Sequence, residues 1–108
     1  MSDNATLLDD IRKAVTSGQM LWKRHALERM LQRGISRNRV KQAILEGLIV
    51  EIYPDDHPIP SLLLATLQPE ALHVVLAYDN ASALCHVITA YYPDLAHFEA
   101  DLITRRLS

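Results

Sequence analysis

The hydrophobic pattern changes period near the middle of the chain, and this limits the fold more than any other feature. Up to Gly47, apolar residues recur at helical spacing; beyond it they run in short blocks broken by turn residues. Thr6 and Asp9 have capping-box spacing, Leu7, Leu8, Ile11 and Val15 follow, and Gly18 stands where a helix stops. Met20-Leu21-Trp22 is a brief strand or an anchor. A second helix is expected over 24–32, stopped by Gly34. Ser36 is a suitable N-cap for a third helix carrying Val40, Ala43, Ile44 and Leu48 on one side, ended by Gly47. All three glycines thus fall at helix ends.

The second half reads as strands over 48–53, 61–67, 72–78 and 84–92. The proline-rich stretch 54–60 is a loop, 68–70 a turn, and 79–82 a hairpin turn. Pro93 and Asp94 open a final helix with Leu95, Phe98, Leu102 and Ile103 inward. The expected fold class is α+β. N-terminal helices pack on a four-stranded antiparallel sheet, followed by a C-terminal helix. At 108 residues the chain is a single domain over 1–108, with 1–5 expected to be flexible.

Charge is distributed unevenly. The net charge is −2, but residues 1–47 hold nine basic and five acidic groups (+4), and residues 48–108 hold two basic and eight acidic (−6). Between Met20 and Lys41, seven basic residues face only Glu28. Such a local excess is a footprint for a polyanion. The one cysteine, Cys85, permits no intrachain disulfide and suits a reducing compartment. No apolar run approaches a membrane span and the start lacks signal-peptide character. A cytoplasmic protein without a membrane partner is therefore expected.

Chemistry concentrates on the second helix and the last hairpin. On a helical projection His25, Arg29 and Arg33 form one stripe opposite Ala26, Leu27, Met30 and Leu31, and Lys23 and Arg24 precede it. Histidine can act as base or acid, and arginine binds phosphate through paired donors. The stripe therefore suits phosphodiester chemistry, although a solvated helix face has the same composition. The hairpin offers His73, His86, Thr89, Tyr91 and Tyr92. A two-residue loop at Asn80-Ala81 sets His73 beside His86 and Ile88; an odd-length loop sets it beside Thr89 and Tyr91.

Other chemistries lack their residues. The five histidines form no His-x3-His or His-x-His pair and Cys85 has no partner at zinc spacing, so neither a metal nor another cofactor is expected. No glycine-rich phosphate loop is present. Cys85 reads as a small buried hydrophobe, and the Asp55-Asp56 pair as a solvated turn.

The run from His25 to Ser36 (HALERMLQRGIS), with Val40 and 43–47, resembles a family of small bacterial proteins of unknown function described as candidate toxins of toxin–antitoxin pairs. Residues 53–56, 72–75 and 88–91 are similar to it as well. That family is in turn similar to RelE- and BrnT-type ribonuclease toxins, whose helices pack on an antiparallel sheet. The resemblance implies metal-independent RNA cleavage by attack of the ribose 2′-OH. It implies a catalytic set of His25, Arg29, His73, Thr89 and Tyr91, and RNA contacts from Lys23, Arg24, Arg33 and Arg37. The partners it implies are RNA, free or on the ribosome, and an antitoxin protein; a homo-oligomer is compatible with it. The other reading is a non-catalytic module of the same fold that binds protein or nucleic acid.

Overall fold

Local end signals define the helices. The computed structural model describes residues 3–105. Helix α1 spans Asp3–Thr16, α2 Arg24–Arg33 and α3 Arg37–Glu46. The 1–5 segment expected to be flexible falls in part outside the described residues, and α1 begins within it. At the end of α2, Gly34 adopts φ 69°, and the amides of Gly34 and Ile35 close back on Leu31 and Met30. A side chain there would be strained. Ser36 caps α3, its hydroxyl accepting from the Arg39 amide at 3.0 Å.

The strands are β1 Met20–Trp22, β2 Leu48–Tyr53, β3 Ser61–Thr66, β4 Leu72–Asp79 and β5 Leu84–Tyr91. They form one five-stranded mixed sheet in the order β1-β5-β4-β3-β2. This corrects the expected four-stranded antiparallel sheet. The added strand, β1, runs parallel to β5, with Leu21 opposite His86. Residues 20–22 read as a brief strand or an anchor, and three residues paired through their backbone carry no side-chain mark of the strand they join.

The expected C-terminal helix is also absent. Asp94 does begin a turn, its carboxylate accepting from the amides of Ala96 and His97. The turn does not propagate. Asp101 accepts from the amides of Ile103 and Thr104, Leu102 sits at φ 59°, and Phe98 bridges to Arg105. Both aspartates offer the backbone local bonds that compete with a helix. The segment 93–105 instead lies as an irregular strap over the sheet.

The helices cover one face. Ile11, Ala14, Val15, Ala26, Met30, Val40, Ala43 and Ile44 pack there on Leu62, Leu64, Leu72, Val74, Leu76, Cys85, Val87 and Ala90. The other face carries Ser61, Leu63, Ala65, His73, Val75 and Ala77, by the pairing register. Most of these are buried too, including Leu63 and His73. The strap covers the His73 end, through Phe98, Leu102 and Arg105, and the 54–60 loop lies at the other end, where the Ser61 hydroxyl donates to Asp56.

Gly47, just after α3, lies close against the β3 backbone. A Cβ there would lie 2.5 Å from the carbonyl oxygens of both Ala43 and Ala65. Both obstacles are backbone and cannot rotate away. Gly47→Ala is expected to destabilise by about 1–3 kcal/mol in chemical denaturation, as overpacked sites do. Arg12 completes this corner, donating to the carbonyls of Ile44 (3.1 Å) and Gly47 (2.6 Å) at the C-terminal end of α3.

Candidate functional site

The site is built from the exposed side of α2, the edge of β5 and the strap. Helix α2 starts where β1 stops and packs along β5, burying Ala26 and Met30. Its opposite side leaves His25, Arg29 and Arg33 exposed, as the helical projection expects. Leu31, placed by that projection on the apolar side, is instead 83% exposed. The Arg29 Nε lies 3.5 Å from His25 Nε2, and its Nη1 lies 3.5 Å from the Gln32 side-chain oxygen. Arg33 reaches across to β5, donating to the Ala90 carbonyl at 2.8 Å and approaching Thr89 Oγ1 at 3.4 Å.

A β-bulge selects the hairpin face. The β4–β5 loop covers 80–83, an even count, and Asp79 pairs with Leu84. That parity alone would set His73 opposite Ala90. The register slips by one residue at Ile88, so Val75 faces Thr89 and His73 faces Tyr91. The open alternative in the sequence is thus resolved toward Thr89 and Tyr91, by a bulge rather than by loop length.

His73 lies in the interior. Its Nε2 is 2.7 Å from the Leu102 carbonyl, which can only accept, so Nε2 carries the proton. Nδ1 then accepts from the Tyr91 hydroxyl at 3.2 Å. The rings of Phe98 and Tyr91 meet its ring edge-on, at centroid distances of 4.6 and 5.3 Å. Burial holds its pKa below the ordinary value, against the bond to the Leu102 carbonyl, which acts the other way. This is a neutral imidazole with both nitrogens engaged. Tyr91 is shifted up, first by burial.

Between the end of α2, β5 and the strap lies an open cleft of about 480 Å³. Arg33, Tyr91, Tyr92, His97, Phe98 and Arg105 line it, with Pro93 and Asp94 at its border. Asp94 Oδ1 meets His97 Nδ1 at 2.8 Å, and this bond holds the carboxyl below the usual carboxylate range. Arg105 donates to Glu51 at 2.7 Å and to the Tyr53 hydroxyl at 3.2 Å, which keeps its guanidinium charged. None of Asp94, His97 or Arg105 was a candidate site residue. The Asp94-x-x-His97 spacing is visible in the sequence.

Arg33, Thr89 and Tyr91 are therefore gathered at one place, with His25 and Arg29 on the same helix side. Lys23 lies apart, with His57, His86 and Ile88 around a smaller hollow of about 160 Å³. Arg24 pairs with Glu28 at 3.1 Å on the surface, a contact of little energetic weight. Arg37 lies over the Trp22 ring at 5.9 Å. Cys85 is buried and its thiol is pushed up to about 12 by desolvation, so it is a packing residue. Among the described residues, no three His, Cys, Asp or Glu side chains come together as a metal site, and no helix is long and apolar enough to cross a membrane.

Residues 22–92 match the family described as Domain of unknown function (DUF4258), well over half of the chain. The chain belongs to this family. No curated protein and no solved structure matches it. The DUF4258 match starts at Trp22, the last residue of β1, and ends one residue beyond β5, so it spans α2, α3 and strands β2 to β5. His25, Arg29, Arg33, His73, Thr89 and Tyr91 fall inside it. Asp94, His97 and Arg105 fall outside, on the strap.

Proposed function

We propose that the protein is an endoribonuclease that cleaves RNA without a metal ion, acting as the toxin of a toxin–antitoxin pair. The observation that carries this reading is Arg33. It ties the His25–Arg29 side of α2 to Thr89 and to a cleft walled by Tyr91. Cations, an imidazole and hydroxyls around an open cleft are the groups that in-line phosphodiester cleavage uses.

In this reaction the ribose 2′-OH gives its proton to His25 and attacks phosphorus. The bond to the 5′-oxygen breaks, and that oxygen takes a proton from solvent or a cleft donor. Arg29 and Arg33 offset the charge on the non-bridging oxygens. His73 acts as a positioning residue here: it fixes the Tyr91 hydroxyl and clasps the strap, and it does not touch the RNA. Lys23, Arg24 and Arg37 extend the cationic surface for neighbouring phosphates.

Incubation of a defined RNA with the protein in excess EDTA tests the reading. Products ending in 2′,3′-cyclic phosphate and 5′-OH are expected. Products bearing 5′-phosphate ends, or cleavage abolished by EDTA, would rule out this chemistry. One observation favours the binding-module reading instead: the Tyr91 hydroxyl directs its proton to His73 rather than into the cleft. That reading gives RNA affinity that falls with salt, and no turnover.

A further inference from the structure

We propose that the cleft under the strap is a binding site for a nucleotide phosphate, with Arg33 and His97 as its two anion-holding groups and Tyr92 beside the base. This deepens the ribonuclease reading, on which it rests only for the choice of a nucleotide over other phosphate esters. The two groups arrive from distant parts of the chain, one from the last turn of α2 and one from the strap.

Arg33 is the charged anchor. Its oxygen partners, the Ala90 carbonyl and the Thr89 hydroxyl, are neutral. Among the described residues no carboxylate pairs with it, in contrast to Arg105, which is held by Glu51. A guanidinium oriented by neutral acceptors keeps its full charge for a ligand, and phosphate fits its fork of donors. His97 is oriented by Asp94, which accepts from Nδ1–H, and as the imidazolium its Nε2–H is the donor for a phosphate oxygen. An imidazole held by a carboxylate in this way has a fixed direction at low entropic cost.

Size and walls favour more than a bare ion. About 480 Å³ lies in the range of small-molecule sites and exceeds what one phosphate fills. Phe98 forms a buried floor, and Tyr92 is 37% exposed at the side. An exposed aromatic ring next to an anion anchor is the arrangement by which proteins stack a base while holding its phosphate. The 3′-terminal nucleotide of a cleaved RNA carries both parts.

Titration with inorganic phosphate and, separately, with uridine 3′-monophosphate tests this, read from the His97 ring signals by NMR. Saturable shifts are expected with both, with the nucleotide binding about fivefold or more tighter through its stacked base. Arg33→Gln should weaken both by about tenfold, and Arg33→Lys by less, since it keeps the charge. His97→Asn, at an exposed position and read instead from the backbone amide signals of Arg33 and Tyr92, should weaken both by several-fold with an unchanged melting temperature. No saturable shift, or unaltered binding by Arg33→Gln, would overturn the site; equal affinity for the two probes would overturn its assignment to a nucleotide. Cleavage assayed on the same samples separates the two ideas. Cleavage without any His97 response sinks the cleft and keeps the ribonuclease. Nucleotide binding without cleavage keeps the cleft and sinks the ribonuclease.

Discussion

Replacing His73 with alanine should destabilise the protein by about 3 kcal/mol and lower its melting temperature by roughly 10–20 °C. The imidazole is fully buried, fills space against Phe98 and Tyr91, and supplies the donor for the Leu102 carbonyl. Its removal leaves a cavity, an orphaned carbonyl and a tyrosine hydroxyl without its acceptor. The strap should loosen with it, so limited proteolysis should cut the variant within 93–105 well before the rest of the domain. A variant within about 0.5 kcal/mol of wild type, the scale of an ordinary surface change, would show that His73 is not the clasp.

The same residue makes stability depend on pH. In the folded protein burial holds His73 below its ordinary value, and in the unfolded chain it titrates near 6.5. The unfolded state therefore binds the proton first. Stability is complete above about pH 6.5 and falls as the pH drops from there toward the depressed folded value. Wild type should lose melting temperature steadily over that interval on acidification. His73→Gln, which has nothing to titrate, should lose less.

The second large effect falls on chemistry. His25→Ala should reduce RNA cleavage by about 10²–10⁴-fold, the range of a lost general base. Arg29→Ala should cost a similar factor through lost charge stabilisation. Both side chains are exposed and neither touches the core, so melting temperatures should stay near that of wild type. Activity that survives both substitutions would move the site away from α2.

Much of the helical half is legible because its signals are local. Ser36 caps α3 through its own hydroxyl, and Gly34 turns the chain where a side chain would be strained. Amphipathic spacing puts His25, Arg29 and Arg33 on one side of α2. The limits appear where pairing is not local. β1 is three residues long and joins β5 by backbone bonds, which alternation does not encode. In β5, Val87-Ile88 reads equally well with either residue inward, so a slip at Ile88 that sends Thr89 and Tyr91 toward His73 carries no mark in the residue pattern. β3 is buried on both faces, so its run of leucines signals cover on the second face without saying what supplies it. Much of that cover is the strap, whose Asp94 and Asp101 favour local turns over the helix that Pro93, Phe98 and Leu102 suggest. His97 and Arg105 reach the cleft from this irregular strap.

The central claim is that α2 and the β5 edge carry ribonuclease chemistry. Its most direct test compares wild type with His25→Ala on one defined RNA in excess EDTA, with and without translating ribosomes. The account predicts cleavage to cyclic phosphate ends by wild type, in at least one of the two conditions, and its loss in the variant. No cleavage by wild type in either condition, or equal cleavage by both proteins, would contradict it.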